Sequence, residues 1–117
     1  MGRTGLALAA GIAALGISGA SAERAPSGHP GSALLDACDA QDAGQRAYCR
    51  GYIEGIADLV VTMGRRSPVV ACVPPSASPA QIVDTVTEYL HEHPREVRSY
   101  SAAVLVQEAI RKAYRCR

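Results

Sequence analysis

The sequence contains no tryptophan and no phenylalanine, so its five tyrosines are the only large aromatic side chains among 117 residues. A chain of this length forms one small domain. A small core built from alanine, valine, leucine and isoleucine buries little apolar area, and such domains are commonly supported by covalent cross-links. We therefore expect disulfide bonds to supply part of the stability.

The sequence also lacks the common catalytic motifs. It has no G-x-S-x-G, no H-E-x-x-H and no Gly-rich phosphate loop after a strand, which are typical of serine hydrolases, zinc proteases and nucleotide-binding enzymes. His91 and His93 form the one close histidine pair, but residues two apart on a helix point in nearly opposite directions and cannot share a metal ion. We predict that the protein is not an enzyme and uses no metal and no cofactor.

The first 22 residues have the pattern of a secretory signal peptide. Arg3 is followed by an Ala/Leu-rich apolar run from about Leu6 to Ile17, and the segment closes with Ala20-Ser21-Ala22. The run is too short for a stable membrane span, so we predict cleavage after Ala22 and export to the periplasm, with an uncleaved anchor as the alternative.

The charge of the remaining chain is balanced. Of the 12 basic residues, Arg3 is lost with the signal peptide, which leaves 11 against 11 acidic residues. This balance gives no indication of a nucleic acid partner, and no membrane contact is expected after cleavage. Residues 23–32 are rich in Pro, Gly and Ser and predict a disordered lead-in, followed by one domain over residues 33–117.

The rest of the chain predicts an all-α fold, a small four-helix domain. Apolar residues recur at steps of three and four. In the last helix they predict a buried face that consists of Ala102, Leu105, Val106, Ala109, Ile110 and Ala113. Gly44 separates the first two helices, Ser32 is the expected N-cap of the first, and Ser78-Pro79 with Gln81 predicts a capping box at the third. Pro94 is expected to end that third helix. The predicted helices cover residues 33–40, 45–63, 79–93 and 99–114.

A stripe of small residues runs along the longest predicted helix. Ala47, Gly51 and Gly55 follow one another at four-residue steps, although a glycine inside a helix costs about 1 kcal/mol relative to alanine. Small side chains at this spacing allow another backbone to come close. We predict a helix-packing groove, either at an internal crossing with the last helix or at a contact between subunits.

Several motifs together resemble the Rap/Tai family of periplasmic immunity proteins. They are "CRGYIEGIAD" at Cys49–Asp58, "CVPPSASPAQIVDTVTEYLHEHP" at Cys72–Pro94 and "SAAVLVQEAIRKAYRC" at Ser101–Cys116. The chain departs from the family pattern in lacking a proline before the last cysteine and in its short segment from Met63 to Ala71. Besides the cysteines, the positions that match the family motif are Tyr52, Ile53, Asp58, Pro74, Gln81 and Pro94.

The resemblance implies a helical domain, often a homodimer, that binds a peptidoglycan amidase delivered by type VI secretion and blocks its active site. The expected partner is therefore a cell-wall amidase effector. Two alternatives fit the size and compartment: a general periplasmic binding protein, and a small acid-stress chaperone of the HdeA-like kind.

The four cysteines complete the prediction. An even number in a short exported chain indicates disulfides rather than metal or redox chemistry, and the resemblance implies two intramolecular bridges. Among the three connectivities we predict the one in which a short bridge clamps the first two helices, and the Pro-rich connector is tied to the chain end. The bridges are Cys38–Cys49 and Cys72–Cys116.

Overall fold

The computed structural model describes residues 28–117, and this part of the chain is α-helical without a strand, which confirms the predicted all-α class. The predicted signal peptide and the first residues of the predicted lead-in lie outside the described residues. A single 3-10 turn, Gly64–Arg66, follows the longest helix. The α-helices are α1 (Gly31–Asp39), α2 (Ala43–Met63), α3 (Pro79–Glu92), α4 (Pro94–Ser99) and α5 (Ala102–Ala113).

The helix α1 begins earlier than predicted because its start is held by the other end of the domain. The Gly31 N–H donates to the Tyr100 carbonyl at 3.1 Å, and the Ala102 N–H donates to the His29 carbonyl at 2.6 Å. Ser32 therefore lies inside the helix, whose N-cap is Pro30 without a side-chain cap. Within the predicted lead-in, Pro30 pairs with Ser101 just before α5, and residues 31 and 32 belong to α1.

The starts of α2 and α3 show two forms of side-chain capping. The Asp42 carboxylate accepts a hydrogen bond from the Gln45 N–H at 2.8 Å, so α2 begins two residues before the predicted start. At α3, the Ser78 hydroxyl accepts from the Gln81 N–H at 3.2 Å, and the Gln81 side chain accepts from the Ser78 N–H at 2.8 Å. The predicted capping box is confirmed.

One helix, α4, was not among the four predicted from the sequence, and it follows directly after α3. Pro94 ends α3, as predicted, but it also occupies the first position of α4, where its missing N–H costs nothing. Val97 is the one buried residue of α4. This short helix turns the chain so that α5 can return across α1, α2 and α3.

The core lies where the faces of α1, α2, α3 and α5 meet. The apolar stripes predicted for the last three of these helices supply most of it. Ala113, predicted to be buried, is exposed, because the last turn of α5 extends past the core. The buried apolar residues are Leu34, Ala37, Cys49, Ile53, Ala57, Val60, Ile82, Val86, Leu90, Val97, Ala102, Leu105, Val106, Ala109 and Ile110.

Two disulfides connect the four cysteines as predicted. Cys38–Cys49 joins α1 to α2 with the Cα atoms 5.0 Å apart, and Cys72–Cys116 joins the connector to the end of the chain at 4.9 Å. The Cys72 N–H also donates to the Tyr114 carbonyl at 2.8 Å. The connector between α2 and α3 is therefore tied to the residues that follow α5.

The small-residue groove does not lie inside the fold. Ala47, Gly51 and Gly55 are all exposed, and a Cβ built on either glycine would meet no atom of the described residues within 4 Å. The internal crossing with the last helix is thus absent from residues 28–117, because α2 turns the opposite face, with Ile53 and Val60, toward α5. The alternative, a contact between subunits, stays a prediction.

Candidate functional site

A groove of about 420 Å³ lies between α3, α4 and α5. One wall is formed by the stacked rings of Tyr89 and His93, whose centroids are 3.9 Å apart. The buried Leu105 also lines the groove, and the exposed Tyr100 and Val104 stand at its rim. We call this surface the α3–α5 groove. Six aromatic or charged side chains line it: Tyr89, His93, Glu96, Tyr100, Glu108 and Lys112.

Charged side chains at the α5 edge of the groove are already paired with each other. The Glu108 carboxylate accepts two hydrogen bonds from the Arg111 guanidinium, at 2.8 and 2.6 Å. The Lys112 ammonium lies 3.7 Å from the same carboxylate and 5.3 Å from the Tyr89 ring centroid. The hydrogen bond from Arg111 lowers the pKa of Glu108 below its usual value of 4.5, against the opposing effect of partial burial.

The Glu96 carboxylate differs from that of Glu108. Glu96 is half-buried and lines the groove. Among residues 28–117, no basic side chain lies within 4.0 Å of its carboxylate, and its side chain makes no hydrogen bond. Partial burial raises the pKa of the Tyr89 hydroxyl, and the carboxylates of Glu108 and Glu96 raise it further. The charge of Glu96 therefore contributes to the raised pKa of Tyr89.

Tyr100 projects from a backbone that is fixed on both sides. Its carbonyl accepts from the Gly31 N–H, and its own N–H donates to the Glu96 carbonyl at 2.8 Å. The side chain is nevertheless 56% exposed, next to Val104, which is 50% exposed. An aromatic side chain on a rigid backbone offers a large contact area that costs little conformational entropy to bind.

A second surface lies on the outer side of α2. Ala47, Gly51 and Gly55 form a stripe without long side chains, and larger apolar residues stand beside it: Tyr48, Leu59 and Val61, the last two 56% and 54% exposed. We call this surface the α2 outer face. Small residues flanked by apolar ones allow close approach of another helix.

Tyr48 also belongs to an aromatic cluster at one end of the α2 outer face. The His29 ring lies 5.4 Å from the Tyr48 ring and 5.9 Å from that of Tyr52, centroid to centroid. Partial burial raises the pKa of the Tyr52 hydroxyl, and the neighbouring Tyr48 adds to the shift. The cluster holds the residue before Pro30 against α2.

The residues of the family motif are spread over the domain. Ile53 is in the core, Tyr52 is partly buried in the aromatic cluster, Gln81 closes the capping box and Pro94 begins α4. Pro74 borders a shallow depression that Gln81 shares, whereas Asp58 is exposed on α2. These positions do not converge on one site. Most of them shape the helices, and the four cysteines cross-link them.

The two histidines of "HEH" have separate partners. The His91 Nε2 lies 2.8 Å from a carboxylate oxygen of Asp39, which links α3 to α1, while the His93 Nδ1 lies 2.7 Å from the Tyr89 carbonyl. Within residues 28–117, no three His, Cys, Asp or Glu side chains are grouped so as to hold a metal ion. In the same part of the chain, no helix has both the length and the apolar character of a membrane span.

The α3–α5 groove was not predicted from the sequence, but one signal pointed to it. Val104 is an apolar residue that does not belong to the buried face predicted for the last helix. Tyr100 precedes it by four residues. Apolar or aromatic residues that lie next to each other outside the buried face of a helix indicate a second, exposed contact surface.

Comparison with known protein families supports a function in recognition. A model of the Rap1a immunity proteins matches residues 30–116, which include all five helices and both disulfides. No curated protein matches the chain in sequence.

Proposed function

The chain belongs to the family of Rap1a immunity proteins, and from this we propose that it binds a peptidoglycan amidase effector of type VI secretion and blocks the active site of that enzyme. The observation that carries the proposal is the family match over residues 30–116. The protein acts by covering the effector, so its own side chains need no catalytic role. The α3–α5 groove and the α2 outer face are the two surfaces with the apolar and aromatic composition that protein interfaces use.

The proposed place of action is the periplasm, where a cell-wall hydrolase would attack. Two intramolecular disulfides suit an oxidising compartment. The pattern of residues 1–22 supplies the export signal, and the mature protein begins at Glu23. Mass spectrometry of protein from a periplasmic extract tests this. A full-length, membrane-bound form would contradict it.

Inhibition is tested with a peptidoglycan amidase effector, sought first among the proteins encoded by the neighbouring genes. Purified immunity protein should slow the release of peptides from peptidoglycan by that amidase, with complete inhibition near one immunity protomer per enzyme. It should release no peptides when incubated alone. The control is an effector variant without its catalytic nucleophile, which should still bind with similar affinity because the contact covers the active site rather than using its chemistry.

A different result would favour the alternatives. Peptide release by the immunity protein alone would exclude the proposal. An absence of binding to any neighbouring effector, together with suppression of the aggregation of unrelated proteins at acidic pH, would support the chaperone instead.

We further propose that two copies associate through the α2 outer face. Ala47, Gly51 and Gly55 would let two α2 helices approach closely, with Leu59 and Val61 packing beside the crossing. Gly51→Leu should prevent that approach and yield a monomer in analytical ultracentrifugation. Ala80→Leu, an exposed small-to-large change on α3, is the matched control and should leave the oligomeric state unchanged. A wild-type protein that is monomeric at every concentration would exclude this interface.

A further inference from the structure

We propose that the α3–α5 groove is the surface that contacts the effector, and that it receives a basic side chain, arginine or lysine, between Glu96 and Tyr100. This inference rests on the proposed immunity function and adds to it the location of the contact and the chemistry of the partner. Three independent features of the groove support it: an unpaired carboxylate, an anchored aromatic rim and separation from the α2 outer face.

The first feature is the state of the two glutamates. Glu108 accepts both of its close hydrogen bonds from Arg111, so its charge is already matched within the domain. Glu96 lines the same groove and, within residues 28–117, has no basic side chain within 4.0 Å. A half-buried carboxylate gains from a cationic partner, and a guanidinium can bind its two oxygens together.

The second feature is the aromatic rim. Tyr100 stands at the groove with its backbone fixed by hydrogen bonds to Gly31 and Glu96, and the Tyr89–His93 stack lines the same groove. A cation beside the face of a tyrosine ring is attracted by the ring electrons. Lys112 already lies over the Tyr89 ring, which leaves the exposed Tyr100 ring for a cation of the partner. Val104 adds apolar contact for the methylene groups of that side chain.

The third feature is the position of the groove relative to the α2 outer face. Within residues 28–117, α2 does not contact α4. Glu96 is part of α4, and Tyr100 follows it directly. A dimer formed through α2 would therefore leave the Glu96 and Tyr100 side of the groove open. This separation favours an effector over a second copy as the occupant of the groove.

The first experiment tests the groove without an effector. Nα-acetyl-arginine amide is titrated into isotope-labelled protein, and backbone amide resonances are followed by NMR. Saturable shifts are expected at residues 96, 100 and 104. The citrulline analogue, which has the same shape without the charge, should shift them much less, and so should arginine amide added to Glu96→Gln. Equal responses to the two ligands, or shifts confined to other parts of the domain, would overturn the proposal.

The second experiment uses the amidase effector that the inhibition assay identifies. Glu96→Gln and Tyr100→Ala should each weaken binding by about tenfold or more, as substitutions at the centre of an interface do. The matched control, Glu88→Gln, replaces an exposed glutamate of α3 that does not line the groove and should leave the affinity within about twofold. Circular dichroism verifies that each variant is folded.

The outcomes separate the inference from the proposed function. If the wild-type protein binds the effector and both groove variants bind equally well, the groove is not the contact and the immunity function stands. If the wild-type protein binds no effector, the immunity function fails, and the arginine titration alone decides whether the groove is a cation site. A change in sedimentation caused by Glu96→Gln would show that the groove contacts a second copy, which would also overturn the inference.

Discussion

At the scale of single residues, the glycines of this domain have opposite roles. A Cβ at Gly31 would collide with the Leu105 side chain and would lie 2.8 Å from the Val97 carbonyl oxygen, so only glycine allows α1 to meet α4 and α5 there. Gly51 and Gly55 have open space around them. Spacing in the sequence pointed to the second pair, although the close internal approach occurs at Gly31. Sequence spacing cannot show which face of a helix a partner covers.

Alanine substitutions should therefore change stability in opposite directions. At concentrations where the protein is monomeric, Gly51→Ala and Gly55→Ala should each raise the free energy of unfolding by about 0.5–1 kcal/mol, because alanine has the higher helix propensity and lowers the entropy of the unfolded chain. Gly31→Ala should lower it by about 1–3 kcal/mol through overpacking. Urea denaturation followed by circular dichroism measures all three. Destabilisation of the monomer by Gly51→Ala would contradict the prediction, whereas destabilisation confined to the dimer would support the proposed contact through the α2 outer face.

Glu108 should make stability depend on pH in the acidic range. Because Arg111 lowers the pKa of Glu108 below 4.5 in the folded state, its contribution is fully present above the unfolded value and is lost as pH falls through the folded pKa. The difference in unfolding free energy between wild type and Glu108→Gln should therefore be constant near neutral pH and should shrink as the pH falls below 4.5 through the lowered pKa of Glu108. The control is Glu88→Gln, whose side chain has no ion pair within residues 28–117.

At the scale of helices, the boundaries could be predicted where side chains fix them locally. The start of α3 is predicted by Ser78, Pro79 and Gln81, and the structure has the complete capping box. The start of α1 was missed because its first residues are held by Tyr100 and Ala102, about 70 residues away in sequence. The helix α4 was not predicted, because Pro94 after a helical pattern predicts the end of that helix. Proline is also favourable at the first position of a new helix, and the sequence does not distinguish the two roles.

The capping box at α3 should contribute measurably to stability. Ser78→Ala removes the acceptor for the Gln81 N–H and should lower the free energy of unfolding by about 1 kcal/mol, within the range of 0.5–2 for such caps. Ser76→Ala, in the exposed turn two residues earlier, is the matched control and should change it by less than about 0.5 kcal/mol. Thermal and urea unfolding of both variants provide the comparison. Equal effects would mean that α3 is held by packing alone.

At the scale of the whole molecule, the sequence indicates the scaffold better than the contact surface. The apolar stripes identify the core because they are local patterns. The cysteines identify the cross-links because four cysteines allow only three pairings. The α3–α5 groove combines Tyr89 of α3 and His93, the residue between α3 and α4, with Glu96, Tyr100 and Val104. Their proximity depends on the turn that α4 makes, and no periodicity in the sequence encodes that turn.

The two disulfides differ in exposure, and this predicts the order in which they open. Cys49 is 3% exposed and lies in the core beside α1, whereas Cys72 and Cys116 are both exposed. A thiolate must reach a sulfur atom to attack a disulfide, so access determines the rate. Under mild dithiothreitol, timed alkylation and mass spectrometry should therefore detect modified Cys72 and Cys116 before modified Cys38 and Cys49. Simultaneous modification of all four would mean that global unfolding precedes every reduction step.

Removing each disulfide should have a cost that follows the length of the loop it closes. Their sequence separations of 44 and 11 correspond to about 4 and 3 kcal/mol in the chain-entropy model. The double variant Cys72→Ala/Cys116→Ala should therefore be destabilised at least as much as Cys38→Ala/Cys49→Ala, provided the buried pair leaves no large cavity. Loss of Cys72–Cys116 also frees the connector from Tyr114, the residue that follows α5. Because the two contributions together approach the whole stability of a small domain, roughly 5–15 kcal/mol, complete reduction should unfold the protein and abolish effector binding.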